Sequence, residues 1–332
     1  MIVVAIAVAV AFDFTNGFHD SSNALAALVA TRAARPGPAV VLVGVCHVAG
    51  PLIAGTAVAN TVGGIVRVSA GDTIAVVGAG LTGAIAWNLV TWWRGLPSSS
   101  SHALVGGLVG AAVLHAGRSA VQWGGFESGR PVGVLGVLAT LAISPVLGFV
   151  VAFAAARVAR RGLRRARRGV GPVLRRGEWA TAAALAFSHG ANDAQKTMGV
   201  MTVLLVADGH LSSFVVPLWV KLLAAASLTF GTLVGGWRIV RTLGRGIYRL
   251  RSQDGLVSQG VSAATILGSA AVGGPVSTTH VVASSVMGVG AGQHRRHVRW
   301  AVVREIVMSW LLTLPAAAVA GMLALTVWRE LA

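Results

Sequence analysis

Two short stretches carry side chains that could do chemistry, and both sit in apolar surroundings. Ser188-His189-Gly190-Ala191-Asn192-Asp193-Ala194-Gln195-Lys196 packs a carboxylate, an ammonium, an imidazole and two carboxamides between the apolar runs Trp179–Phe187 and Met198–Ala207. Near the N-terminus, Asn16-Gly17-Phe18-His19-Asp20-Ser21-Ser22-Asn23 has a related make-up. Ionisable groups inside a membrane span are costly and usually face a cavity where they have a task. Asp20 and Asn23 are three residues apart, as are Asp193 and Lys196, so each pair shares a helical face. A carboxylate, an amide oxygen and carbonyls freed at a helix break suit Na⁺ or a divalent ion. Asp20, Asn23, Asn192 and Asp193 are therefore candidates for a coupling cation or proton, with Asp20 and Asp193 as metal-holding candidates. Lys196 could stand where a metal would, touch an anion as a point charge, or simply pair with Asp193.

Two hydroxyl-rich turns complete the set. Pro97-Ser98-Ser99-Ser100-Ser101-His102 and Pro275-Val276-Ser277-Thr278-Thr279-His280 each follow a proline and precede an apolar helix. A helix N-terminus presents free N–H groups and a positive dipole end, which suit a tetrahedral oxyanion. Ser99, Ser100, Ser101, Ser277, Thr278 and Thr279, with Lys196, are the anion-binding candidates. Plain helix capping is the competing reading. His19 and His189 flank the carboxylates, and His102 and His280 close the turns; they could bond ligand, relay protons or hold the turns. His47 reads as structural. Asp13 could line the same cavity, and Lys221 and Glu305 could snorkel or pair within the bundle.

Such residues need elements to hold them. The chain is 55% hydrophobic and only 11% charged, against about 25% charged in soluble domains, so it is expected to be an all-α polytopic membrane protein. Apolar segments lie at about 2–15, 17–31, 39–60, 73–93, 101–115, 131–156, 178–206, 213–236, 255–272, 281–291 and 300–328. Several fall short of the roughly 20 residues of a span. They come in pairs joined by polar or Gly/Pro turns, as broken helices and re-entrant hairpins do. Arginines cluster at 32–35, 157–176, 238–251 and 295–299, and the positive-inside rule puts those loops in the cytoplasm and both termini outside. The +17 net charge is thus a matter of topology, not of nucleic-acid binding. Met1 leads straight into apolar residues, so no cleaved signal is expected. Cys46, the single cysteine, reads as a small core residue. There is no Gly-x-Ser-x-Gly elbow and no Walker A motif, which argues against a hydrolase and against an ATP-driven engine.

The chain also repeats itself. Gly17, Asp20 and Asn23 lie over Gly190, Asp193 and Lys196; Gly55-Thr56 over Gly231-Thr232; the Pro97 turn over the Pro275 turn; and Pro145 over Pro315. The order is the same and the offset nearly constant. A first repeat over 1–156 and a second over 178–332, joined by a basic cytoplasmic linker at 157–177, start on opposite sides. That is an inverted-topology repeat with two broken helices and two helical hairpins, the plan of secondary transporters with a midplane site.

The paired stretches at 16–24 and 188–196, with the hairpin turns at 97–102 and 275–280, resemble the signatures of the inorganic phosphate transporter (PiT) family, and the match runs from about Phe12 to Pro315. The resemblance implies an inverted-repeat carrier in the bacterial plasma membrane. Phosphate would be bound by hydroxyls of both hairpins near the two Asp-bearing stretches, with cation coupling, both termini outside and assembly as a homodimer. No resident cofactor is implied, only transported phosphate with H⁺ or Na⁺, or with a divalent metal. His19 and Lys196 replace the asparagines of sodium-coupled relatives, so the chain is more similar to the bacterial low-affinity branch, a proton-driven symporter of phosphate or metal–phosphate. A sodium-coupled symporter, a carrier of sulfate or another oxyanion, a passive anion channel and a membrane receptor are the alternatives.

Overall fold

The computed structural model describes all residues except 21, 128–129, 165–168 and 332. Its longest element, α8 (Val170–Ala207), runs without interruption through the polar stretch at 188–196. The break expected there is therefore absent. The sequence holds no proline at that point, and the polar side chains find partners within a turn: Ser188 Oγ donates to Ala184 O, Gln195 Nε2 to Ala191 O, and Lys196 Nζ to Asp193. With the polarity satisfied by such i,i+3 and i,i+4 contacts, the backbone has no reason to open. In the first half, α1 (Ile2–Asp20) and α2 (Ser22–Ala30) meet at residue 21, so the expected break there lies outside the described residues.

The remaining helices follow the apolar runs. They are α3 (Pro36–Ile53), α4 (Ala57–Gly63), α5 (Ala70–Arg94), α6 (Ser100–Ala116), α7 (Gly133–Leu163), α9 (Leu218–Val234), α10 (Trp237–Arg241), α11 (Ser252–Ala271), α12 (Thr278–His294) and α13 (Trp300–Leu331). The two-residue strands β1 (Phe126–Glu127) and β2 (Arg130–Pro131) form a small hairpin before α7. Among the described residues, five spans are long and apolar enough to cross a membrane, six if the pair Leu218–Val234 and Trp237–Gly246, bent by 64°, counts as one. Outward faces of α3, α7 and α13 expose Val41, Val45, Ile143, Val150, Leu311 and Leu323, as lipid-facing surfaces do. The arginine-rich segment expected as a linker is largely helical: α7 carries it to Leu163 and α8 resumes at Val170.

Matching elements of the two halves pack on each other reciprocally. α3 lies on α8 while α9 lies on α1; α7 lies on α12 while α13 lies on α6 and α5. Two crossings set the distances near the polar stretches, and each needs glycine on both sides. A Cβ on Gly17 would stand 2.1 Å from Leu228 O and one on Gly231 2.1 Å from Phe14 O. Likewise Gly50 would meet Phe187 O at 2.5 Å and Gly190 would meet His47 O at 2.5 Å. Such approaches are the use that membrane helices make of small residues. Two apolar clusters flank the polar centre, one around Phe12, Leu104 and Met201, the other around Leu25, Leu185 and Ile266. Both draw on both halves.

Candidate functional site

Three groups of elements converge between those clusters: the α1–α2 junction, the middle of α8, and the tips of two helical hairpins. The first tip, residues 95–99, joins α5 to α6, and the second, residues 272–277, joins α11 to α12. Gly95 at φ 67° and Gly273 at φ 76° supply left-handed turns that a side chain would strain. Every polar residue at the centre is essentially closed to solvent.

Asp20 collects hydroxyls from both hairpins. Ser100 Oγ reaches its Oδ2 at 3.2 Å, Thr278 Oγ1 its Oδ2 at 3.3 Å and Thr279 Oγ1 its Oδ1 at 2.7 Å, while His19 Nδ1 lies 2.8 Å from Oδ1. Asn23 Nδ2 donates to Thr279 Oγ1 at 3.2 Å and to Thr278 Oγ1 at 3.4 Å. Thr278 also reaches Asp193 Oδ2 at 2.9 Å, so one hydroxyl, with a single proton to give, bridges the two carboxylates. Lys196 spends all three of its donors, on Asp193 Oδ1, Ser101 Oγ (2.6 Å) and Val276 O (2.9 Å). The ammonium thus ties α8 to both hairpins at once. Each carboxylate also has an imidazole against it, His19 at Asp20 and His189 at Asp193, so the buried centre sets two carboxylates against one ammonium and two imidazoles.

The tips themselves are held by groups around the centre. Ser99 Oγ accepts from His102 N at 3.1 Å, and Ser277 Oγ accepts from His280 N at 3.2 Å, so both act as N-caps. The rings of His102 and His280 lie 4.9 Å apart, and His280 stacks on Trp310, whose Nε1 donates to Pro97 O at 3.0 Å. Asn192 grips the second tip: its Nδ2 donates to Gly274 O at 3.2 Å and its Oδ1 accepts from Val276 N at 3.3 Å. Asp13 sits beside the centre, accepting from Thr197 Oγ1 at 2.9 Å.

The sequence and the fold have counterparts in known proteins. A family model described as "Phosphate transporter family" matches residues 16–321. The chain belongs to that family. It is 42% identical over 326 residues to a protein of Mycobacterium tuberculosis, covering 97% of this chain and 76% of that one. It is 40% identical over 320 residues to one of Rhizobium meliloti (96% and 93%) and 36% identical over 333 residues to one of Bacillus subtilis (97% and 95%). Each bears the name "Probable low-affinity inorganic phosphate transporter". The fold is that of a solved structure titled "The sodium-dependent phosphate transporter", with a TM-score of 0.87 at 23% identity, covering 100% of this chain and 99% of that one. This family member is a membrane-embedded transporter and not an enzyme.

Within it, the residues singled out in the sequence fall into three positions. Asp20, Asn23, Ser100, Ser101, Asp193, Lys196, Thr278 and Thr279 share the centre. Ser99, Ser277, Asn192, His102 and His280 hold the tips. His19 and His189 sit behind the carboxylates. His189 Nε2 lies 2.6 Å from Asp193 Oδ2, and its Nδ1 lies 2.8 Å from His47 Nε2. His47 Nδ1 in turn lies 2.9 Å from Thr232 Oγ1. So His47, legible only as a lone histidine in an apolar run, joins a buried polar chain that ends on Asp193. Thr91 and Ser98 are the corresponding omission on the other side: both hydroxyls reach His19 Nε2, at 3.2 and 3.3 Å. Ser98 stood inside a recognised motif, whereas nothing marked Thr91.

Proposed function

We propose that this transporter imports inorganic phosphate by symport with a cation, and that protons drive it. Phosphate would sit between the two hairpin tips, on the hydroxyls of Ser100, Ser101, Thr278 and Thr279, with the Lys196 ammonium as a fixed positive charge. The observation that carries the reading is the pair of carboxylates buried in the closed centre, Asp20 and Asp193, beside the Lys196 ammonium. Adding a phosphate dianion beside two buried carboxylates is prohibitive in a low dielectric unless positive charge comes with it. Compensating cations must enter with the anion.

Asp20 is the natural proton acceptor, because protonation does two things there. It removes a charge, and it loosens the hold of the carboxylate on Ser100, Thr278 and Thr279. Each hydrogen bond to a charged group is worth about 1.5–3 kcal/mol, so neutralising Asp20 frees those donors for the ligand. Asp193 stays paired with Lys196. Phosphate can also donate a hydrogen bond to a carboxylate, which fully ionised sulfate cannot. The arginine-bearing helix ends would face the cytoplasm, with both termini outside and the halves inverted. Alternating access follows from one half rocking on the other about the site.

A second reading has its own observation. Ligand atoms of Asp20, His189 and Asp193 lie within 4.8 Å of one another, a spacing that suits a divalent ion travelling as a metal–phosphate complex. The test of both is uptake of labelled phosphate into proteoliposomes under imposed pH or Na⁺ gradients, with and without Mg²⁺. Uptake that follows the pH gradient supports proton symport. Uptake that follows Na⁺ and ignores pH refutes it, and an absolute Mg²⁺ requirement selects the complex.

A further inference from the structure

The arginines at the end of α2 do not simply spread over a solvated face. Arg32, Arg245, Arg249, Arg251 and Arg299 line one cavity of about 450 Å³, with Thr31 and the small residues Ala30 and Gly244 in its wall. They come from three separate parts of the chain: the turn after α2, the stretch between α10 and α11, and the residue before α13. The backbone fixes their meeting, since Arg299 N donates to Ile247 O at 2.9 Å, with Ile247 and Leu250 buried beneath.

Like charges brought together in a concavity repel, and the pull of Asp254 on Arg251 offsets only part of that repulsion. Among the described residues no ion pair involves these five guanidinium groups. The carboxylates nearby are engaged elsewhere: Glu178 accepts from Thr31 Oγ1 at 2.7 Å, and Asp254 accepts from Arg251 N, Tyr248 and Gln293. The carbonyls of the last α2 turn, which would repel an anion, are taken by Thr31 N, Ala33 N and Ala34 N. Arg32 is also the one described non-glycine residue in the left-handed region, at φ 60°. A side chain held there at a cost often marks a functional position.

We infer that this cavity is a second anion site, which takes a phosphoryl group on the guanidinium forks of Arg32, Arg245, Arg249, Arg251 and Arg299. Guanidinium matches two oxygens of a tetrahedral oxyanion at once, and several forks from different directions suit a doubly charged one. The site lies seven residues along α2 from Asn23, about 10 Å at 1.5 Å per residue. Phosphate leaving the centre toward the arginine-rich face would meet it next. That role on the exit path rests on the proposed direction of transport, whereas the binding itself does not. The same chemistry could come from free phosphate or from the headgroup of an anionic lipid.

The test compares the full chain with R245Q/R249Q/R299Q and, separately, with Thr278→Ala. In an uncharged detergent, equilibrium dialysis with labelled inorganic phosphate should find two phosphates per wild-type chain. The arginine variant should lose one of them, weakened at least about tenfold, and about 1 M NaCl, where screening acts within about 3 Å, should do the same. Arg249→Lys, which keeps the charge and loses the fork, should weaken that component alone. Thr278→Ala should remove the other phosphate; if it does not, the transport-site reading fails while this one stands. If the occupant is a lipid, native mass spectrometry from phosphatidylglycerol nanodiscs should show one retained lipid on the wild type and none on the arginine variant. Equal phosphate and equal lipid on the wild type and a folded arginine variant, shown by an unchanged Tm, would overturn the proposal.

Discussion

Lys196→Asn is the most informative single change, because it gives α8 the residue that Asn23 supplies in the first half. The ammonium is fully enclosed and donates to Asp193, Ser101 and Val276 O. Removing it leaves the buried Asp193 without its ammonium partner. Breaking a buried pair by deleting one partner costs about 3–5 kcal/mol, and each 1.4 kcal/mol is a factor of ten. Proton-driven uptake by K196N should therefore fall by about two to three orders of magnitude at neutral pH. Two reliefs are open to the variant. A Na⁺ ion can take the vacated place beside Asp193 and Ser101, or Asp193 can bind a proton. The assay is uptake of labelled phosphate into proteoliposomes, with Na⁺ and pH gradients varied independently. Added Na⁺ should stimulate the variant and leave the wild type indifferent, and in Na⁺-free medium the variant should recover as pH falls, since each unit supplies about 1.4 kcal/mol. Wild-type rates without Na⁺ at neutral pH would refute the view that Lys196 serves as the built-in cation of the centre.

Three further outcomes follow from named contacts. Thr278→Ala removes the hydroxyl that joins Asp20 to Asp193 and should raise KM for phosphate by at least about tenfold, while Thr278→Ser, measured in the same uptake assay, retains most of the affinity. Asn192→Ala strands Val276 N in a buried tip; it should cost about 1–3 kcal/mol, seen as a lower Tm, with the ion dependence of the remaining uptake unchanged. His47→Gln preserves hydrogen bonding toward Thr232 and His189 but cannot pass a proton through a ring. If the chain Thr232–His47–His189–Asp193 carries protons, proton-driven uptake should fall while phosphate exchange without a gradient persists; loss of both would mean that His47 only holds α3 against α8.

How much of this was legible from the chain depended on how local each feature is. Apolar runs, prolines and Gly-Ser punctuation are local, and they locate the helices and both hairpin tips. The pairing of Asp20 with the second tip and of Lys196 with both tips could be anticipated because the repeat offers each motif twice. The unbroken α8 could not be anticipated, because polar residues in an apolar helix look alike whether their partners lie within a turn or across a cavity. The roles of Asn192 and His47 were hidden for a different reason: Asn192 answers to Gly274 and Val276, and His47 to His189 and Thr232. Those partners lie far away in sequence, and nothing in the residue itself names them. Ser99 and Ser277 show how capping and ligand binding look alike in sequence. As helix-first hydroxyls they resemble ligands, yet each is a cap for the backbone three residues on.

The asymmetry between Asn23 and Lys196 also says how the two hairpins differ as moving parts. The second hairpin is bound to both halves: Thr278 and Thr279 reach Asp20, Val276 O accepts from Lys196, and Asn192 clasps the tip. The first hairpin touches the centre through Ser100 on Asp20, Ser101 on Lys196 and Val276 O, and Ser98 on His19. Neutralising Asp20 weakens the hold of its carboxylate on both tips, but it leaves Asn23, Lys196 and Asn192 on the second. Proton entry therefore loosens the centre unequally. The α5–α6 tip keeps Ser101 on the ammonium and on Val276 O, and Ser98 on His19, while the α11–α12 tip stays anchored to α8 through Lys196 and Asn192. If opening follows the weaker attachment, the first hairpin is the one that parts from the site when a proton arrives. A spin-label or disulfide pair bridging α6 and α12 near Ser101 and Val276 should then separate on acidification, and in Asp20→Ala, where the hold of the carboxylate is already gone, should be apart at every pH.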